Sequence, residues 1–554
     1  MPESGPIAAL PTHDVLNAPG PMPDYDLFAH DPALREGVER EGGAWALAPC
    51  AALGRDIGRA EVFALGVAAN RVTPLLHNFD RFGRRIDEVE FHPAYHELMS
   101  IAVRHRVQSI AWHEPRPGAH VAHAALVYLM TQVEAGVLCP MAMSYAAVPT
   151  LRVQPELAAF WVPKLLSDRY DGRCIPARDK AGATFGMAMT EKQGGSDVRA
   201  NTTRARPLGA AGPGEAYLLS GHKWFCSAPM SDGFLTLANT ERGLTCFLVP
   251  RFRDDGSRNN FFIQRLKDKL GNRSNASSEI EYHDTWARMV GEEGRGVATI
   301  IEMVHHTRID AAIAPVGIMR QALTQAVHHC RQRRAFGKLL VDQPLMRNVL
   351  ADLQVEIEAA TMLGLRVARA FDEGASDASA RAFARLATAI AKYWINKRAP
   401  GAVVEALECL GGTGYIEDSM MPRLYREAPL SSIWEGSGNV ICLDVLRTLQ
   451  REPAALQQLL DELRPAAAAR RELADHVRGI ESLLREGELE PRARTLVQML
   501  AVALEGALLV QHGHAGIADA FCRTRLQREP PAVYGTLPGD VDTAALLARA
   551  MVAA

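Results

Sequence analysis

Residues 184–197 read TFGMAMTEKQGGSD, and here the hydrophobic period of the chain changes. Phe185, Met187 and Met189 alternate onto one face, the period of a strand, and the turn-rich KQGGSD follows. Upstream, 31–184 is rich in Ala and Leu with charges at helical spacing, as in PAYHELMSIAVRHRVQSIAW and AHAALVYLMTQVEAGVLC, which predicts a helical domain. Downstream, AYLLSGHKWF, GFLTLANT, LTCFLVP and SSEIEYHDTWA are short, aromatic and β-branched, with Gly, Asp and Asn between them. They predict a β-barrel or sandwich over 185–295. After GEEGRG at 291–296 the helical period returns, with Ile309, Ile313, Val316, Leu323, Val327 and Cys330 on one stripe. PLMRNVLADLQVEIEAATMLGLRVARAF, ARAFARLATAIAKYWINK and AVVEALECLGG continue it, predicting an antiparallel four-helix bundle over 296–450. The fold class is α+β in the order helical, β, helical. A Pro-rich arm over 1–30 precedes these parts, and an Ala/Leu/Arg-rich helical extension over 451–554 follows.

Composition narrows the function. The chain's 554 residues exceed one core, and 48% hydrophobic with 23% charged residues excludes both a disordered chain and a membrane bundle. A formal charge of −3 gives no global field for gathering nucleic acid. The first twenty residues lack the basic and apolar regions of a signal peptide, and the run AVALEGALLV (501–510) is interrupted by Glu505 and too short to span a bilayer, so a cytoplasmic protein without membrane contact is expected. Nine scattered cysteines with no C-x-x-C pair argue against a disulfide framework or zinc ribbon, and the paired histidines lack a ligand set, so no metal is expected.

Neither G-x-G-x-x-G nor G-x-x-x-x-G-K-[ST] occurs, which speaks against nicotinamide on a Rossmann fold. Two segments are dense in chemistry. Thr190–Asp197 offers hydroxyls and backbone N–H groups suited to a flat polar heterocycle or a phosphate; taken by itself it reads first as a strand-to-strand turn. In LGGTGYIEDSMMPRLYREAPLSSIWEGSGN (410–439), glycines permit close backbone approach and Glu435 stands beside Trp434. A carboxylate against an aromatic ring in a partly dry pocket suits a general base; the plainer reading is a loop after a helix.

Taken in order, Met189-Thr190-Glu191, Gly195-Ser196-Asp197, Gly221-His222-Lys223-Trp224, Lys269-Leu270-Gly271, Arg333-Arg334-Ala335-Phe336-Gly337 and Ile433-Trp434-Glu435-Gly436 resemble the acyl-CoA dehydrogenase family of flavoproteins. TEKQGGSDVRANTTRA, HKWFCSAP, LKDKLGNRSNAS and RLYREAPLSSIWEGSGNVICLDVLR, with both terminal additions, look like its AidB-like branch, associated with the response to DNA alkylation. The resemblance implies FAD held noncovalently between the β domain and the bundle, in a homotetramer. It places Met189, Thr190 and Ser196 at the isoalloxazine edge and Phe225 and Ser227 at its face and edge, and counts Cys226 between them among the cofactor-binding residues. Arg333 would meet the pyrophosphate of a neighbour's FAD, and Ile433, Trp434, Gly436 and Asn439 would belong to a loop closing over the cofactor. Glu435 would remove the α-proton of an acyl thioester while the flavin takes the β-hydride, with Arg308 and Arg426 in the substrate pocket.

Two positions depart from the family pattern: Pro344 stands where a Gln is expected, with Gln343 displaced by one, and His305 stands where an Asp is expected. The function implied is an FAD-dependent oxidoreductase of acyl-CoA-like substrates. The alternative is a flavoprotein that binds double-stranded DNA without sequence preference, through Arg447, Arg470, Arg471 and Arg478. Residues 451–554 carry 12 Arg, no Lys and 14 acidic residues, which speaks against that extension binding DNA alone.

Overall fold

The computed structural model describes residues 12–551. The first eleven residues of the expected arm lie outside the described residues. Phe185–Ala188 is a strand, pairing in parallel with Gly233–Thr240. Five strands then close a ring in the order Gly233–Thr240, Arg204–Pro207, Ala216–Ser227, Ser277–Val290 and Gly243–Pro250, the last pairing back onto the first. Of barrel and sandwich, the β domain is the barrel. Its two longest strands pair with register shifts at Leu219/Ser220 and Lys223/Cys226, the local irregularity that bends a sheet until its edges meet. Tyr217, Phe234, Phe247 and Phe261 fill the interior. Arg204–Pro207 and Phe261–Leu266 are strands that hydropathy did not signal, because they are short and carry arginines.

The region before the barrel is helical, as read, but contains an antiparallel hairpin, Leu75–Phe79 with Arg85–Glu90. Its turn is made by Asp80, whose carboxylate accepts the N–H groups of Phe82 (2.8 Å) and Arg84 (2.9 Å), and by Gly83 at φ +76°. The hairpin leans on the barrel: Asn78 and Arg85 donate to the carbonyl of Ile263 at 2.7 and 3.0 Å.

After the barrel, the helix Gly296–Cys330 runs for 35 residues with its expected stripe buried. Beside it lie Pro344–Gly374 and Ala378–Glu408. The last merges two helices that the sequence suggested were separate, continuing through Pro400 despite the lost backbone donor. Burial against its neighbours outweighs that break. In the C-terminal extension, Pro453–Ala469, Arg471–Arg485, Ala493–His512 and Ala515–Arg525 pack onto the bundle. Ala493–His512 is twice the length of the apolar run read from sequence, and it is long and apolar enough to cross a membrane. It is instead a core helix, mostly buried. Its Glu505, whose pKa burial pushes well above the usual carboxylate range, accepts a hydrogen bond from Trp394 Nε1 of the bundle at 2.9 Å. Arg525 reaches Asp352 at 2.5 Å and Glu356 at 3.3 Å, so buried ion pairs bolt the extension to the bundle.

Candidate active site

The late loop arrives at its site through two consecutive left-handed residues, Glu435 at φ +56° and Gly436 at φ +104°. Glycine adopts this conformation freely; glutamate does so at a cost, and neighbouring contacts hold it there. Arg308 Nε donates to the Glu435 carbonyl at 3.1 Å, Lys392 Nζ donates to the Gly436 carbonyl, and Arg308 is itself paired with Asp444 at 2.9 Å. Thr307 Oγ1 donates to Glu435 Oε2 at 2.8 Å, and among the described residues no donor reaches Oε1. The residue keeps some surface open, but protein surrounds its carboxyl. Burial raises its pKa above the usual carboxylate range, and Thr307, Arg308 and Lys392 offset only part of that. Burial likewise pushes the Lys392 ammonium down to about 7, against the attraction of Glu435.

Facing this loop is the barrel edge. On the strand Ala216–Ser227, side chains alternate, so Phe225 is open (49% exposed) while Cys226 points into the barrel core and is fully buried. Cys226 therefore does not present its side chain to a cofactor, a correction to the sequence reading; its thiol is pushed up to about 12 by burial. Ser227 Oγ lies 3.0 Å from Ser277 Oγ. The gap between Ser227 and Glu435 is spanned by Cys139, a buried thiol pushed up to about 11 by burial, with Lys269, Ser227 and Asn275 as its polar neighbours and Glu435 within electrostatic reach. Lys269, depressed to about 8 by burial, donates to the Asn275 carbonyl at 2.6 Å.

The carbonyls of Met189 and Thr190 are tied back to the barrel by Asn201 Nδ2 (2.9 Å) and the Trp224 N–H (2.8 Å). Gly195 packs against Thr190 so closely that a Cβ there would lie 2.3 Å from Thr190 Oγ1, and Ser196 next to it is exposed. Glu191, between them, is wholly buried with Lys223 at 2.9 Å and also accepts from Thr202, Thr203 and Gln193. Sequence reasoning assigned Glu191 no role; it pins the turn that presents Thr190.

The remaining expected residues divide. Arg333 is exposed beside a two-residue hairpin, Arg334–Ala335 with Lys338–Leu339, whose tip carries Phe336 at 99% exposure. Its guanidinium donates to the Asn17 carbonyl at 2.8 Å. Pro344 opens the following helix, and the displaced Gln343 donates to the Ala335 carbonyl at 3.0 Å, bracing the hairpin from behind. Ile433 is exposed, Trp434 Nε1 donates to Ser431 Oγ at 3.1 Å, and Asn439 accepts from Arg494 Nε at 2.8 Å. Arg308 is brought to Glu435, as above, but its guanidinium is spent on the loop and Asp444. Arg426 is not part of the cluster: Glu417 holds it at 2.5 Å. His305, pushed down to about 3 by burial and by Arg308 and Arg385, accepts from Arg385 at 2.9 Å. Thr307 was adjacent to the Arg308 already singled out; Lys392 gave no signal in the apolar text AIAKYWINK. Among the described residues no His, Cys, Asp and Glu group is arranged to hold a metal ion.

Three family models match the chain: the adaptive response protein AidB N-terminal domain over residues 17–172, the acyl-CoA dehydrogenase middle domain over 186–285, and the acyl-CoA dehydrogenase C-terminal domain over 294–450. The putative acyl-CoA dehydrogenase AidB of Escherichia coli K12 is 45% identical over 517 residues, 93% of this chain and 94% of that protein. The chain belongs to the acyl-CoA dehydrogenase family, on its AidB branch. Among solved structures, Caenorhabditis elegans ACDH-11 in complex with C11-CoA superposes with TM-score 0.83 at 28% identity, covering 94% of this chain and 96% of that one. An acyl-CoA dehydrogenase complexed with FAD from Bacillus anthracis shares the fold, with TM-score 0.64 at 16% identity over 78% and 81% of the two chains. As a family member the protein is an FAD-dependent oxidoreductase of the acyl-CoA dehydrogenase type. Its residues suit that cofactor: the open ring of Phe225 offers a face, and the hydroxyls of Thr190, Ser196 and Ser227 offer polar edges.

Proposed function

We propose that the protein dehydrogenates a CoA thioester with Glu435 as the base. FAD, when bound, supplies the acceptor for the β-hydride. The chain supplies the rest. Arg308 and Lys392 hold the loop carbonyls and so fix where the carboxyl points, and Thr307 occupies Oε2, leaving Oε1 to take the α-proton. Enclosure raises the basicity of the carboxylate toward the working pH, which favours proton abstraction. The observation that carries this reading is the left-handed Glu435, held in place by three side chains from two helices. That the ACDH-11 structure contains C11-CoA supports a CoA ester as the substrate class. The test is anaerobic mixing of the FAD-loaded protein with a panel of straight and branched acyl-CoAs. At least one should bleach the flavin absorbance; no bleaching by any member would contradict the proposal.

A homotetramer belongs to the same proposal, supported by the exposed Phe336, Leu345 and Tyr415. Cytoplasmic residence is supported by nine free thiols. Contact with DNA has thinner support. Arg471 is 91% exposed, but it shares Asp475 with Arg478, while Arg470 is held by Asp519 at 3.0 Å and Arg447 by Asp444 at 3.5 Å. Any retention on DNA is expected to be independent of sequence and to fall steeply with salt.

A further inference from the structure

We propose that the two ends of the chain, the N-terminal arm and the C-terminal extension, each position one cofactor-binding segment, the arm through Asn17 and the extension through Arg494. This rests on the assignment of Arg333 and Asn439 to the FAD site.

The arm is fastened at its far end: the Asp24 carboxylate accepts the Ala60 N–H at 2.7 Å, and Tyr25 donates to the buried Gln321 at 2.9 Å. From there it runs back to residues 328–334, where the Gly20 N–H donates to Gln332 at 2.8 Å and the Gly20 carbonyl lies 2.9 Å from His328 Nε2. Asn17 ends the run. Its side chain grips Arg334 by both backbone groups, accepting from the N–H at 2.7 Å and donating to the carbonyl at 2.9 Å. Its own carbonyl takes one N–H of Arg333 at 2.8 Å. One residue thereby fixes both the backbone beside Arg333 and the direction of its guanidinium, and the other donors of the fork stay available for phosphate oxygens. Asn17 achieves this at φ +57°, a left-handed conformation that Asn tolerates better than most residues.

On the other side, Arg494 stands in the first turn of the buried helix Ala493–His512 and donates from Nε to Asn439 Oδ1 at 2.8 Å. Asn439 lies in the first turn of Gly438–Arg451, four residues after Glu435. The helix carrying Arg494 is locked to the bundle through Glu505 and Trp394, so it gives the loop a rigid backstop. Both contacts are exposed and contribute little to the core, which separates positioning from folding.

The test follows release of FAD from the holoprotein on dilution, by recovery of flavin fluorescence, alongside the melting temperature of each variant. Asn17→Gly keeps the left-handed backbone and the carbonyl that Arg333 uses, but loses the side-chain grip. Arg494→Met keeps the apolar stem and loses the donor, and Arg494→Lys restores a donor. The expected result is FAD dissociation constants raised by ~3–10-fold in Asn17→Gly and Arg494→Met, the size of one or two hydrogen bonds, with partial recovery in Arg494→Lys and melting temperatures lowered by no more than the weaker FAD binding itself accounts for. Arg333→Ala is the reference. If it loosens FAD while Asn17→Gly and Arg494→Met bind as the unaltered protein does, the positioning proposal falls and the site assignment stands. If Arg333→Ala has no effect, the assignment of Arg333 and the arm's part of the proposal fall together, and the extension's part falls if Arg494→Met also binds FAD unchanged. Weakened FAD accompanied by a loss of melting temperature larger than the weaker binding accounts for would show a structural role and overturn the proposal.

Discussion

Glu191 and Glu435 stand in the two motifs that the sequence marks as dense, one on each side of the proposed flavin site. Glu191 receives Lys223, Gln193, the N–H groups of Thr202 and Thr203 and the Thr202 hydroxyl, and it lies wholly inside the protein. Among the described residues, Glu435 receives Thr307 alone on its carboxyl. Burial acts on both carboxyls in the same direction, toward a higher pKa. In Glu191 the Lys223 charge and the donors overcome it and hold the group well below the usual range; in Glu435 they do not, and the group stays above it. A saturated carboxylate anchors structure, whereas one with a free oxygen is available for proton transfer.

Replacing Glu191 by Gln should have the largest effect on stability. It leaves Lys223 buried without a counter-charge, which costs about 3–5 kcal/mol, and chemical denaturation would measure it. A loss below about 1 kcal/mol would remove the distinction between an anchoring and a working carboxylate. The same change at Glu435 should leave the melting temperature at pH 7 equal or higher, because the fold disfavours its charged form.

The pH dependence of stability separates the two further. Glu191 is depressed, so its contribution is fully present above the ordinary carboxylate pKa of about 4.3 and is lost as pH falls below it. Glu435 is raised, so its contribution is present below about 4.3 and is lost as pH rises through its folded value. Melting curves carried from acid pH to pH 8 should therefore lose an upward slope below about pH 4.3 in Glu191→Gln and a downward slope above it in Glu435→Gln. Equal slopes in both variants would contradict the assignment.

The smallest effect belongs to Thr307→Val. It removes the hydrogen bond that lowers the pKa of Glu435, so flavin reduction should slow severalfold on the acid side of the profile and little on the alkaline side. A uniform loss at every pH would assign Thr307 to substrate placement instead.

Much of the fold was legible because it rests on period. The switch at 184 marks the barrel, and the stripe Ile309–Cys330 marks the long helix. The hairpin at 75–90 was hidden by Ala- and Leu-rich text on both sides, although Asp80 and Gly83 carry a turn signal. Glu435 was legible through its motif. Its supports were not, since Thr307 and Arg308 lie more than a hundred residues upstream and Lys392 arrives from another helix. Cys226 was misjudged because a motif names consecutive residues, whereas a strand sends alternate ones to opposite sides.

The most direct test of the central claim is anaerobic stopped-flow reduction of the holoprotein by a productive acyl-CoA, comparing the unaltered chain with Glu435→Gln. The substitution preserves shape and removes the proton acceptor. FAD content should stay normal while flavin reduction slows by at least ~10²-fold, the low end for general-base catalysis. Reduction at the unaltered rate would show that another group takes the proton and would contradict the account.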